Sequence, residues 1–169
     1  MSNFDSTVRR IARCGERMPE HPKQLVTLSR LAYHIQKRTQ DQLNAVMKEH
    51  GLTSVSYTAL MVLYGSDDET QRASDLGDAC SEKPANLTRI CNDLEKQGLI
   101  KRRFSLEDRR SVEISLTNAG RKRVEQVSPE YWAILHQTYE GLNEKELSQQ
   151  EAMLRRQLTN LEARSPESV

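Results

Sequence analysis

Apolar residues recur at helical spacing along most of the chain. They return every three or four positions in residues 4–17 and again in residues 25–50, as in amphipathic helices. Gly15 and Pro19 interrupt the first segment, and Gly51 is a natural C-terminal stop for the second. The pattern predicts a short N-terminal helix, a bend and a long second helix.

A third apolar segment lies between two residues that commonly bound helices. Thr53 can act as an N-cap, and Gly65 can close the segment. Residues 66–70 are polar throughout, which predicts a loop after this helix.

Two helices joined by a tight connection are predicted next. Residues 73–80 form a helix too short to be stable alone. Ser81 is expected to cap the following helix, because Pro84 then lies in the first turn, where its missing N–H costs nothing. This following helix carries apolar residues on one face and ends at Gly98.

The periodicity changes after Gly98. Val112, Ile114 and Leu116 alternate strictly with polar residues, which is the pattern of a half-buried strand. The polar stretch 105–110 connects this strand to a preceding one. A β-hairpin with a basic tip therefore follows the helix-turn-helix directly.

Helical spacing returns in the C-terminal part of the chain. Thr117 can cap a helix that Gly120 weakens locally and that Pro129 is expected to kink or break. Asn143 and Glu146 have the spacing of a capping box. The terminal helix carries an apolar stripe formed by Leu147, Met153, Leu154, Leu158 and Leu161.

Composition restricts the function classes. Of the 169 residues 36% are hydrophobic and 29% charged, so the core is thin and a second copy is expected to complete it. The net charge of +1 excludes a polycation, so any nucleic-acid surface must be a local patch. Neither a secretory signal nor a membrane-length apolar run is visible, and a cytoplasmic location without membrane contact is predicted.

A basic patch coincides with the predicted hairpin. From Lys101 to Arg123 there are eight basic residues and three acidic ones, whereas the rest of the chain has more acidic than basic residues. Duplex DNA requires cations for its phosphates and an exposed helix for its major groove. A solvated surface is the alternative, and it is disfavoured because the basic run directly follows a helix-turn-helix.

Motifs between Ala73 and Gly120 resemble those of the MarR family of bacterial regulators. They are Asp75-Leu76, Asn86-Leu87-Thr88-Arg89, Asp93-Leu94-Glu95-Lys96-Gln97-Gly98-Leu99-Ile100, Arg102-Arg103, Asp108-Arg109-Arg110 and Leu116-Thr117-Asn118-Ala119-Gly120. The Asp-Arg-Arg motif followed by Leu-Thr-x-x-Gly is the part of this resemblance that is most specific to the family. The N-terminal extension and residues 28–36 resemble the EmrR-like branch of that family.

The resemblance implies a winged helix-turn-helix fold, mainly α with a small β-hairpin wing, in a homodimer built from N- and C-terminal helices. The implied domains are N-terminal dimerisation helices over 1–50, a DNA-binding domain over 51–117 and C-terminal dimerisation helices over 118–165. The implied partner is double-stranded DNA with a palindromic operator.

The resemblance also implies which residues contact DNA. The helix residues, which would face the major groove, are Lys83, Pro84, Ala85, Asn86, Thr88 and Arg89. Arg109 and Arg110 would lie on the wing near the minor groove, with Asp108 holding one of them in place. Asn86 could instead be an ordinary polar helix residue, and Arg89 could pair with an acid of its own domain.

Members of this family often lose DNA affinity when a small aromatic acid or a hydrophobic drug binds. Arg30 and His34 share a helix face, where a guanidinium beside an imidazole can hold a carboxylate. Tyr57, Met61 and Tyr64 on the next helix can provide an apolar wall. The alternatives are a surface or intersubunit ion pair for the first two residues and a core position for the other three.

Cys14 suggests an alternative function, a thiol-based redox switch on the same scaffold. Three nearby arginines could favour its thiolate, whereas Cys80 and Cys91 have apolar neighbours and are interpreted as core residues.

Catalytic and metal-binding motifs are missing from the sequence. The three cysteines and four histidines lack disulfide or metal-ligand spacing, and no nucleophile–base pattern or phosphate loop occurs. Neither an enzyme nor a cofactor is predicted. A helical assembly protein without a DNA role is the remaining hypothesis, and salt-sensitive DNA binding would distinguish it from a regulator.

Overall fold

The computed structural model describes residues 4–104 and 111–164. Within these residues the elements are, in order, α1 (Asp5–Arg17), α2 (Lys23–Glu49), α3 (Ser54–Tyr64), a 3₁₀ turn (Asp67–Glu69), β1 (Thr70–Arg72), α4 (Ala73–Ala79), α5 (Pro84–Lys96), β2 (Ile100–Phe104), β3 (Val112–Leu116), α6 (Asn118–Thr138) and α7 (Glu144–Glu162).

Helices α1 and α2 form an antiparallel pair. Phe4, at the start of α1, packs edge-on against His34 of α2 with ring centroids 5.4 Å apart. At the other end of α1, the side chain of Lys23 lies over Gly15. The predicted short helix, bend and long helix are confirmed.

Helix α3 begins with a complete capping box. The Thr53 hydroxyl accepts from the Ser56 N–H at 3.1 Å, and the Ser56 hydroxyl accepts from the Thr53 N–H at 2.8 Å. These bonds satisfy two donors that a helix start otherwise leaves without partners. The predicted cap is confirmed, and α3 runs through the centre of a core drawn from α2 to α6.

The wing is part of a three-stranded antiparallel sheet with strand order β1-β3-β2. The sequence predicted the β2–β3 hairpin but assigned Thr70 to a loop, whereas Thr70 begins strand β1. Strand β1 pairs with β3, and the Thr70 hydroxyl donates to the Ser115 hydroxyl at 2.9 Å. Ser115 is consequently buried between the buried residues Ile114 and Leu116, so the alternation of buried and exposed positions predicted for β3 is not observed.

Ser81 ends helix α4 and does not cap α5, contrary to the prediction. Its φ is +54°, its N–H donates to the Asp78 carbonyl at 3.0 Å, and the Glu82 N–H donates to the Gly77 carbonyl at 2.9 Å. This is the Schellman arrangement, in which the residue after the C-cap adopts a left-handed conformation. Lys83 occupies the N-cap of α5, without a capping side chain.

Helix α6 is continuous from Asn118 to Thr138 with Pro129 inside it, so of the predicted kink or break the break does not occur. The Thr117 hydroxyl caps the helix as predicted, accepting from the Gly120 N–H at 3.0 Å. Val127 and Ser128 are buried before the proline, and Tyr131 packs against the core after it. This burial on both sides offsets the cost of a proline in a helix, which is about 3 kcal/mol.

The chain divides into two compact units, Met1–Ile134 and Leu135–Val169. In the second unit, Asn143 and Glu146 form the predicted capping box at the start of α7. No residue of α7 is buried within a single chain. Among residues 4–104 and 111–164, no helix combines the length and the apolar character needed to cross a membrane.

Candidate nucleic-acid interface

Helix α5 has one buried face and one exposed face. Its buried residues are Leu87, Ile90, Cys91 and Leu94. Pro84 is in its first turn, as predicted, and the exposed residues of its N-terminal half are Lys83, Pro84, Ala85, Thr88 and Arg89. The N-terminal residues of a recognition helix are those that meet base edges in the major groove. This exposed half of α5 is the candidate reading surface.

Asn86 lies deeper than its exposed neighbours and is half-buried. Its amide nitrogen Nδ2 donates to a carboxylate oxygen of Glu82. Its amide oxygen Oδ1 accepts from Nη2 of Arg89 at 2.9 Å. Both ends of the amide are thus engaged within the protein.

Arg89 also approaches an acidic residue of its own helix. Its Nη1 lies 3.7 Å from Oδ2 of Asp93, and the two side chains are 66% and 61% exposed. An ion pair this exposed contributes little to stability. The predicted alternative, in which Arg89 pairs with an acid of its own domain, is therefore observed in the chain without DNA. The pairing is weak, and Arg89 stays accessible to DNA.

Thr88 is exposed and makes one local hydrogen bond. Its hydroxyl donates to the Pro84 carbonyl one turn earlier at 2.8 Å. The hydroxyl oxygen remains able to accept a hydrogen bond from outside the protein.

Arg102 of strand β2 connects the wing to helix α5. Its Nη2 donates to Oδ1 of Asn92 at 2.7 Å, and its Nε lies 3.6 Å from Oε2 of Glu95. The Arg102 side chain is 24% exposed. Although the sequence placed it in the basic patch, its contacts give Arg102 a role in fixing β2 against α5.

Arg103 pairs across the hairpin, since its Nε lies 2.8 Å from Oε2 of Glu113 on β3. The predicted wing contacts, Arg109 and Arg110, and their predicted support Asp108 lie outside the described residues. These three assignments stay predictions.

The other cations of the basic patch differ in their accessibility. Lys101 and Lys122 are exposed. Arg121 pairs with Glu69 at 2.7 Å, and Arg123 donates to the His50 carbonyl that ends α2. Local ion pairs therefore reduce the free positive charge of the patch.

Arg30 and His34 come together on α2, as their spacing predicted. Nη2 of Arg30 lies 3.4 Å from Nε2 of His34, and the guanidinium lies over the ring of Tyr33, 5.0 Å from its centroid. Phe4 packs on the His34 ring from α1. A cation and three rings therefore form one surface cluster.

The three ligand candidates on α3 face helix α6. Tyr57 is 3% exposed and its hydroxyl bonds to Ser128 at 2.8 Å. Met61 also lies beside Ser128, whose hydroxyl is 3.9 Å from the Met61 sulfur. Tyr64 is 39% exposed and donates to Glu125 at 3.5 Å. Tyr57 thus has the core position named as the alternative, and Tyr64 is the most accessible of the three.

The two groups of ligand candidates occupy different parts of one chain. His34 precedes Met47 by 13 residues on α2. Met47 belongs to the core that contains Tyr57. A helix rises about 1.5 Å per residue, so His34 and Met47 lie roughly 20 Å apart along the α2 axis.

The cysteines differ in exposure. Cys14 is exposed on α1. Burial raises the pKa of both Cys80 and Cys91 above the ordinary value of 9.0 for a thiol, and their mutual repulsion adds to the increase at Cys80. Cys80 and Cys91 are therefore held as neutral thiols, in agreement with their interpretation as core residues.

The contacts of two residues with α5 were not predicted from the sequence. Glu82 contacts Asn86, and Arg102 contacts the middle of α5. The spacing of four between Glu82 and Asn86 was a usable signal, but Glu82 lies before the first residue of α5. The role of Arg102 depends on the strand lying beside the helix, which no local spacing shows.

Sequence comparisons identify relatives of known class. The family model for the transcriptional regulators SarA and Rot matches residues 41–127, about half of the chain. The transcriptional repressor MprA of Escherichia coli is 31% identical over 155 residues, which cover 92% of this chain and 88% of MprA. The regulator PrsX of Escherichia coli is 32% identical over 120 residues, which cover 71% of this chain and 72% of PrsX.

Structural comparisons confirm the fold. A MarR family regulator from Streptomyces coelicolor, solved in complex with DNA, superposes with a TM-score of 0.75 at 21% identity, covering 87% of this chain and 90% of that protein. BpsR of Bordetella bronchiseptica, whose DNA binding is regulated by 6-hydroxynicotinic acid, gives a TM-score of 0.68 at 23% identity. That match covers 77% of this chain and 97% of BpsR.

Proposed function

The chain belongs to the MarR family of DNA-binding transcriptional regulators, on its EmrR-like branch, and we propose that it is a homodimeric repressor released from its operator by a small aromatic carboxylate. The family consists of regulators and not of enzymes. The repressor assignment is supported by the name of MprA, which matches nearly the whole chain.

The exposed N-terminal half of α5 is the observation that carries the DNA-binding part of the proposal. Lys83, Pro84, Ala85, Thr88 and Arg89 are accessible together there, and Asn86 lies directly behind them. We propose that this surface enters the major groove while Arg109 and Arg110 contact the backbone near the minor groove.

Selection of duplexes from a random library by the full chain tests this assignment. A dimer with two reading helices should select a near-palindrome whose half-sites lie about one helical turn apart. The selected duplex should then bind more tightly than a scrambled duplex of equal length at the same salt concentration. Equal affinity for both duplexes would contradict a sequence-specific regulator.

The surface cluster on α2 supports the ligand class. Arg30 provides a fork of donors for a carboxylate, and His34 adds a further polar contact. The neighbouring rings of Phe4 and Tyr33 favour an aromatic ligand. A hydrophobic drug-like anion could bind through the same cation and rings. BpsR, a protein of this fold, is regulated by an aromatic acid.

His34 and the core around Tyr57 are separated along α2, which favours a ligand site shared between two copies of the chain. We propose that Tyr64 and Met61 approach the α2 cluster of the partner protomer, with Tyr57 supporting them from the core. Ligand release of DNA then requires that the ligand bind one dimer arrangement more tightly than the other.

Titration of salicylate and 6-hydroxynicotinate against the labelled selected duplex tests the ligand proposal. Arg30→Ala should abolish release by the acids and leave DNA affinity without ligand nearly unchanged. Arg38→Ala is the matched control, because Arg38 lies two turns further along α2 and is also exposed. Release from the Arg30→Ala variant at parent acid concentrations would refute the pocket assignment.

Redox control is the second candidate function, since Cys14 is exposed among the arginines of α1. Peroxide should then release the duplex from the parent but not from Cys14→Ser. Release by peroxide alone, without a response to the acids, would replace the ligand proposal with this one.

A further inference from the structure

Four polar residues form one row along helix α5 and its approach. Glu82, Asn86, Arg89 and Asp93 follow each other at spacings of four, three and four residues. Side chains at these spacings are neighbours on a helix surface. Each neighbouring pair is in contact, from Glu82 to Asn86, from Asn86 to Arg89 and from Arg89 to Asp93.

The carboxylate of Glu82 determines which way the Asn86 amide faces. An ionised carboxylate only accepts hydrogen bonds, whereas the amide has one donating and one accepting end. The donating Nδ2 must therefore point to Glu82, so the accepting Oδ1 points to Arg89. Both Glu82 and Asn86 are half-buried, which shields this contact from water.

Arg89 is the exposed member of the row that suits base recognition. It donates one hydrogen bond to Asn86 and lies 3.7 Å from Asp93, while a guanidinium carries five donors. The remaining donors can hold the two acceptors of a guanine in the major groove. Because the amide oxygen of Asn86 accepts a hydrogen bond from Arg89, the guanidinium is oriented before DNA arrives.

We propose that Glu82 is a specificity-determining residue that acts through Asn86: it sets the amide so that Arg89 is positioned to read a guanine. This rests on the proposed DNA-binding function. Glu82 touches no base in this arrangement and is a positioning residue. Its negative charge weakens the attraction for every duplex equally, so Glu82 raises selectivity at the expense of nonspecific affinity.

The full-length chain and the duplex it selects provide the test. Glu82→Gln removes the charge and lets the side chain at position 82 either donate or accept, so the amide of Asn86 is no longer fixed. The variant should bind scrambled duplex more tightly than the parent. Its discrimination at one G·C pair of each half-site should fall about five- to tenfold, with the other base pairs unchanged.

Asp78→Asn is the charge-matched control. Asp78 is exposed on α4, four residues before Glu82, and it also loses one negative charge in this variant. It should raise affinity for every duplex and leave the preference at all base pairs as in the parent. This comparison separates the general charge effect from the positioning effect.

The double variant Glu82→Gln, Asn86→Asp tests the mechanism by reversing the hydrogen bond. The glutamine amide can donate to the new aspartate, whose second oxygen still accepts from Arg89, and the net charge equals that of the parent. Recovery of the G·C preference is expected.

A Glu82→Gln variant with the parent's base preferences would overturn the proposal. A double variant that folds and binds DNA without recovering that preference would also overturn it. A parent that selects no duplex would instead refute the DNA-binding proposal itself.

Discussion

Gly120 lies where helix α6 passes close to the backbone that leads into β2. A Cβ at this position would overlap the carbonyl oxygen of Leu99, which accepts hydrogen bonds from the N–H and the hydroxyl of Thr117. The carbonyl cannot move away without losing these bonds. Gly120→Ala should therefore lower the free energy of unfolding by about 1–3 kcal/mol, measured by urea denaturation.

Gly65→Ala is the control for this substitution. Gly65 has a φ of −89°, which any residue can adopt, and its nearest neighbour would be the Met61 carbonyl at an ordinary 3.5 Å. Its free energy of unfolding should change by no more than about 0.5 kcal/mol. Equal losses in the two variants would show that the contact with Leu99 is unimportant.

Tyr57 makes stability sensitive to alkaline pH. Burial raises its pKa above the ordinary value of 10.0, and the hydrogen bond with Ser128 opposes only part of this increase. The unfolded chain therefore loses this proton first, so the contribution is complete below pH 10.0 and disappears as the pH rises through the folded pKa. Tyr57→Phe should lower stability by about 0.5–1.5 kcal/mol at neutral pH.

The difference between the parent and Tyr57→Phe should shrink as unfolding is measured at increasing pH above 10.0. Thermal unfolding followed by circular dichroism over this range measures it. Parallel curves for the two chains would contradict the assignment of alkaline sensitivity to Tyr57.

Single residues show where sequence reasoning succeeded and failed. Pro84 was placed correctly because its missing N–H restricts it to few helix positions. Ser81 was misassigned because a serine before a proline-led helix fits an N-cap equally well. Its left-handed conformation is imposed by the hydrogen bonds that close α4, and no sequence pattern distinguishes these two roles.

At the scale of elements, the caps of α3 and α7 were predictable and the third strand was not. The capping boxes at Thr53 and Asn143 are local, since each joins residues three positions apart. Strand β1 has only three residues and pairs with residues more than 40 positions later. The exposed half of α5 followed from periodicity, whereas the contact of Arg102 with α5 depends on that tertiary pairing.

The wing should contribute through phosphate contacts. Each lost contact lowers the slope of log K against log salt by about 1, so Arg109→Ala and Arg110→Ala should each flatten the salt dependence by that amount. Titration of the selected duplex at four salt concentrations measures the slope. Lys145→Ala, which removes an exposed cation at the start of α7, should leave the slope unchanged.

An unchanged slope in both wing variants would place the phosphate contacts elsewhere in the basic patch. Lys101 and Lys122 are then the next candidates, because both are exposed.

At the scale of the whole molecule, the apolar stripe of α7 predicts association of two chains. Leu147, Leu154, Leu158 and Leu161 are 37%, 50%, 57% and 68% exposed in a single chain. The first three of these leucines line a groove with Tyr139 in the unit Leu135–Val169, and the polar side chains of Gln150, Glu151 and Arg155 also border it. A second copy that covers this stripe would complete the thin core expected from the composition.

Replacement of both Leu154 and Leu158 by Glu should therefore shift the mass in light scattering from two chains to one, at 19.4 kDa per chain. Two buried carboxylates without partners cannot be tolerated at such an interface. The control is Gln149→Glu with Asn160→Glu, which adds the same charge to the opposite face of α7 and should leave the dimer intact.

Because α7 buries nothing within its own chain, the monomeric variant should keep the thermal unfolding signal of the winged domain while losing tight binding to the two-half-site duplex. A leucine variant that stays a folded dimer would show that the interface does not lie on α7. The exposed apolar residues of α1 and α2, such as Val8, Leu25 and Ile35, would then be the next candidates.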